Sequence, residues 1–108
     1  MAQTMRTGEA AWLWDATQLA YWGNEVDIAL DGQPLRLDRL VRRRDDGSWW
    51  VIDFKSATRP ERQAALREQL QRYHRALSQA HPGDPVRLAF LNPLGQLIEI
   101  PAEPSPLP

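Results

Sequence analysis

Alternation of apolar and polar positions divides the chain into a short series of elements. Trp12, Ala16, Leu19 and Ala20 recur at helical spacing, which predicts a first helix over 9–21 that Gly23 ends. Glu25, Val26, Asp27 and Ile28 then alternate acidic with apolar residues, as a half-buried strand does, up to Leu30. Asp31-Gly32 is a type I′ hairpin signal, and alternation resumes at Leu35 and Leu37 in a second strand running to about Arg43. Asp46-Gly47 reads as another two-residue turn, followed by the β-forming run Trp49, Trp50, Val51, Ile52 and Phe54. Thr58-Arg59-Pro60-Glu61 has the form of a capping box with proline just inside a helix. Leu66, Leu70, Tyr73 and Leu77 give that helix its apolar stripe, and His81-Pro82-Gly83 stops it. Two last strands, 86–91 and 96–100, flank Asn92-Pro93-Leu94-Gly95. The order is helix, three antiparallel strands, helix, then one or two strands. This predicts an α/β (α+β) fold around a single sheet. Residues 1–8 read as a disordered or added end, 9–100 as one domain, and 101–108 as a Pro-rich tail.

Composition narrows the chemistry. The chain has 108 residues, enough for one modest core. The absence of cysteine excludes a disulfide scaffold and a thiolate zinc site. With only His74 and His81 available, any metal would be held mainly by carboxylates. The net charge of −1 conceals a basic middle: residues 36–75 carry ten Arg and one Lys against six acids. Such a field can face a polyanion, although solvated arginines on helix and hairpin faces give the same count. Among thirteen cationic side chains, Lys55 is the only lysine.

A two-residue loop at Asp46-Gly47 puts Asp38 opposite Lys55, with Asp53 as a diagonal neighbour. All three then project from one face. Two carboxylates beside an ammonium can form a site for Mg²⁺ or Mn²⁺, or simply a cross-strand salt bridge of little consequence. Gln69 and Tyr73, four apart on the second helix, share a face directed at the sheet.

Leu37-Asp38-Arg39-Leu40-Val41, Val51-Ile52-Asp53-Phe54-Lys55-Ser56 and Gln69-Leu70-Gln71-Arg72-Tyr73, in that order, resemble the RecB-type branch of the PD-(D/E)XK nuclease superfamily. The resemblance spans roughly residues 25–100. It implies a restriction-endonuclease-like αβββαβ core, a mixed sheet flanked by helices. It also implies that Asp38, Asp53 and the Phe54 backbone carbonyl bind Mg²⁺ or Mn²⁺, with Glu25 a further candidate ligand. Lys55 would orient the attacking water, and Gln69 and Tyr73 would support the site and contact nucleic acid. The function implied is metal-dependent DNA hydrolysis, with an exonuclease expected, in a bacterial, cytoplasmic helicase–nuclease of double-strand-break repair and recombination. The partners would be DNA, a UvrD-like helicase part of the parent chain and a second nuclease or helicase subunit, with no membrane. Relatives usually carry a glycine shortly before the first Asp and a histidine on an upstream helix. This sequence has Leu35-Arg36 before Leu37 and no histidine before His74. The expectation is therefore a domain truncated on its N-terminal side, weakly active or inactive alone. A catalytically degenerate nuclease fold that guides DNA or docks a subunit is the competing reading, and a small interaction domain with surface salt bridges is the third.

Overall fold

A computed structural model describes residues 8–103. The expectations for residues 1–7 and 104–108 lie outside that range. Five strands form one mixed sheet in sequence order: β1 (Leu19–Leu30), β2 (Gln33–Arg43), β3 (Trp49–Phe54), β4 (Val86–Leu91) and β5 (Leu97–Ile100). Neighbours are antiparallel except β3 and β4, which run parallel and are joined through the helix α1 (Ala64–Ala80). The protein is thus α+β, consistent with a restriction-endonuclease-like fold.

The predicted first helix does not form. Gly8–Trp14 and Ala16–Gln18 are 3₁₀ segments, and β1 already begins at Leu19. Asp15 caps the second segment through its carboxylate, accepting from the Thr17 N–H at 3.0 Å. Gly23 does not end a helix but sits inside β1, where a Cβ would meet the Tyr21 Oη at 2.8 Å and Val26 Cγ2 at 2.9 Å. The capping box also fails. Pro60–Arg62 is a separate 3₁₀ turn, and α1 starts after Gln63, which makes no side-chain cap. Asp31-Gly32 does make the expected tight turn, with both residues left-handed.

The second hairpin differs in length. Arg43 N–H donates to the Ser48 carbonyl at 2.9 Å, so the loop is the four residues 44–47. Asp46 organises it by accepting from the Ser48 N–H and hydroxyl at 2.9 and 2.6 Å. The β2–β3 register, Arg39↔Ile52 through Arg42↔Trp49, therefore brings Asp38 level with Asp53 rather than Lys55. That shift is even, so it leaves each side chain on its expected face.

β3 is central and apolar on both sides, as its sequence indicates. Trp49 and Val51 join a core with Leu40, Leu70, Leu77 and Phe90 beneath α1. Trp50 and Ile52 join Leu13, Leu19, Val41 and Leu91 on the opposite face, under the 3₁₀ segment. Alternation breaks once in β2. Leu37 and Leu40, three apart, both enter the α1-side core. Across the ladder, Glu25 takes a left-handed φ of 49°. The break in both strands falls at the level of Asp38.

Candidate active site

Asp38 approaches the end of β3 from the neighbouring strand. Its Oδ2 accepts the Phe54 N–H at 2.8 Å, so the carboxylate replaces the ladder bond that the strand break removes. Asp53 is 3% exposed, on the α1 side of β3. Lys55 Nζ lies 3.3 Å from Asp53 Oδ2 as an ion pair, yet among the described residues no donor reaches that buried oxygen with hydrogen-bond geometry. Burial, followed by the hydrogen-bonding contact and charge of Asp38, raises Asp53 to about 7, against the lowering pull of Lys55. A carboxyl in this state is a strained one: desolvated, crowded by a second acid, and incompletely satisfied.

From α1, Gln69 Nε2 donates to the Tyr73 hydroxyl at 2.8 Å. Burial raises the Tyr73 phenol, and the charges of Asp53 and Asp38 raise it further, which places the ring within their field. The structure thus gathers Asp38, Asp53, Lys55 and Tyr73, with Gln69 bonded to Tyr73. Glu25 is exposed on β1, level with Asp38 between the pairs Asn24↔Arg39 and Val26↔Leu37. Among the described residues no cluster of three acidic or imidazole side chains forms, so Glu25 does not close on the two aspartates.

A scan against family models matches the PD-(D/E)XK nuclease superfamily over residues 1–103. The chain belongs to that superfamily. No curated protein and no solved structure matches it. A PD-(D/E)XK nuclease domain has nuclease-type phosphodiester chemistry, DNA as its polymer and, typically, a divalent metal. The donors present suit such an ion. Two adjacent carboxylates, one with an unsatisfied buried oxygen, form an all-oxygen partial ligand set of the kind Mg²⁺ and Mn²⁺ complete with water and phosphate. No helix among the described residues is long and apolar enough to cross a membrane.

One positioning residue escapes the sequence reading. Asn92, fully buried, donates from Nδ2 to the Thr58 carbonyl at 2.9 Å and to Gln96 Oε1 at 2.8 Å. Its Oδ1 accepts the N–H groups of Leu94 and Gln96, both at 3.0 Å. It thereby ties the segment leaving Lys55 to the β4–β5 turn. The signal was an Asn-Pro pair closing an apolar strand, legible as a turn but not as a cross-link.

Proposed function

We propose that this PD-(D/E)XK domain is a RecB-type, Mg²⁺- or Mn²⁺-dependent deoxyribonuclease, acting as an exonuclease within a cytoplasmic bacterial helicase–nuclease of double-strand-break repair. The observation that carries the reading is the buried Asp53 oxygen, unsatisfied beside a second carboxylate and 3.3 Å from the only lysine. Asp38, Asp53 and the Phe54 carbonyl would hold the ion, which supplies a lower water pKa and neutralises phosphate charge. Glu25 takes the lesser part of an outer acid one strand away. Lys55 orients the attacking water and offers a compact positive charge to the phosphate. Tyr73 and Gln69 hold the α1 side of the site and meet the DNA backbone. A helicase part of the parent chain and a second subunit would deliver the strand.

The test is cleavage of end-labelled single- and double-stranded DNA with Mn²⁺, with Mg²⁺ and with chelator. Slow, metal-dependent cleavage is expected, lost in Lys55→Arg with the fold intact. Arginine keeps the positive charge beside the buried Asp53, and circular dichroism checks that the variant is folded. Water orientation would not survive the change, because a misplacement of about 1 Å costs on the order of a hundredfold, and a planar guanidinium cannot replace the ammonium. Near wild-type cleavage by Lys55→Arg would make Lys55 a structural cation. Among the described residues the ligand set is two carboxylates, which favours a second reading, a degenerate fold that guides DNA or docks a subunit. Salt-sensitive DNA binding without cleavage under any metal condition would select it.

A further inference from the structure

The face of the sheet away from α1 carries a second feature. A cavity of about 230 Å³ is lined by Trp14, Ala16, Leu19, Trp22, Asn24 and Arg39. Trp22 is 54% exposed, an unusual position for an indole. Arg39, by contrast, is 2% exposed. Its guanidinium lies 5.1 Å from the centre of the Trp14 ring. Nη1 donates to Asn24 Oδ1 at 2.6 Å, and Nε and Nη2 donate to the Leu13 carbonyl at 3.1 and 2.6 Å. These bonds hold a full positive charge at the cavity wall. They also commit the Asn24 carbonyl oxygen to Arg39, leaving that side chain its amide N–H groups as donors.

We infer that this cavity is a nucleobase-stacking subsite for single-stranded DNA, with Trp22 as its outer platform; the inference rests on the nuclease reading above. Three observations carry it. The lining offers the exposed Trp22 ring, the exposed Asn24 amide and a buried cation, Arg39, packed on Trp14, a combination suited to binding single strands through stacking and charge. Among the described residues none lining it is acidic, whereas the cavity at the β4–β5 turn includes Glu9 and Glu61 and the one beside the β2–β3 loop includes Asp45. The cavity wall also packs against the strand that carries the site, from the opposite face of the sheet. Trp14 stacks on Phe54 at 6.3 Å between ring centres, and Phe54 lies between Asp53 and Lys55. Arg39 likewise follows Asp38 in β2. A strand held at Asp38 and Asp53 would reach the cavity by passing around the sheet edge at β1.

The experiment measures binding of a fluorescein-labelled oligothymidylate and of a duplex of the same length to the full chain in chelator, by anisotropy and by tryptophan quenching. Trp22→Ala should weaken single-strand binding about tenfold or more and remove most of the quenching. Duplex binding should be unchanged, and Trp22→Phe should retain most of the single-strand affinity. Circular dichroism checks that each variant is folded. Equal single-strand affinity in Trp22→Ala overturns the subsite while leaving the nuclease reading intact. The same result accompanied by a changed oligomeric state in sedimentation would also overturn it, assigning Trp22 to a protein contact. A wild-type chain that neither binds nor cuts DNA would remove both proposals.

Discussion

Asp53 is held in a state that folding alone does not favour. Burial and Asp38 raise it to about 7, from an ordinary 3.8 in the unfolded chain. Between those values the folded protein carries a proton that the unfolded chain has lost, so stability should fall as pH rises from about 4 to 7. The slope would be about 1.4 kcal/mol per pH unit at most. Above about 7 both states are ionised and the penalty stays constant. Asp53→Asn removes the buried charge while keeping the shape, so it should raise the thermal midpoint at pH 8 and flatten the dependence between pH 4 and 7. Thermal melts of the two proteins at pH 5 and pH 8 check this. A lower midpoint for Asp53→Asn at pH 8 would show that the carboxylate serves the fold. The Asp38-Asp53-Lys55 grouping was legible in the sequence because alternation and loop chemistry suffice for facing. Its register was not, since Asp46 bonds Ser48 instead of closing a two-residue turn.

At the scale of elements, the core strands and α1 follow from apolar periodicity, because each buries a continuous face. The N-terminal segment does not. Trp12, Ala16 and Leu19 have helical spacing, but Asp15 interrupts with a local cap and Leu19 is recruited into the sheet. Side-chain competition for the backbone and tertiary packing override the pattern there. The paired strand break at Glu25 and Asp38 was equally hidden, since neither residue is a glycine or proline that would mark it. The loop after Lys55 depends on Asn92 in a way no periodicity reveals. Asn92→Ala would strip partners from the Thr58 carbonyl and from two turn N–H groups. A loss of about 1–3 kcal/mol is expected in urea unfolding. Proteolysis should also become faster at residues 56–59, and unchanged cleavage there would show that Asn92 does not hold the loop.

Across the whole molecule, the arginines of β2 and the loop after it, part of the basic middle of the sequence, are engaged within the fold. Arg36 pairs with Asp27, Arg42 with Asp84 and Arg43 with Asp45. Arg44 donates to the Leu19 carbonyl, and Arg39 is buried. The exposed arginines of that window are Arg36, Arg44, Arg59, Arg62, Arg72 and Arg75, the last four on α1 and the turn before it. The α1 side of the sheet therefore carries the two carboxylates and the lysine, and α1 and the turn before it carry exposed arginines. Asp38 and Asp53 are placed to form a divalent-ion site on that face. The most direct measurement is electron paramagnetic resonance titration of Mn²⁺ with the wild-type chain and Asp53→Asn at pH 8, where the free-ion signal reports binding. A saturable loss of signal is expected for the wild type, weakening as pH falls below about 7 because ligation must displace the Asp53 proton, and none for Asp53→Asn. Equal binding by both proteins, or none by either, would contradict that site.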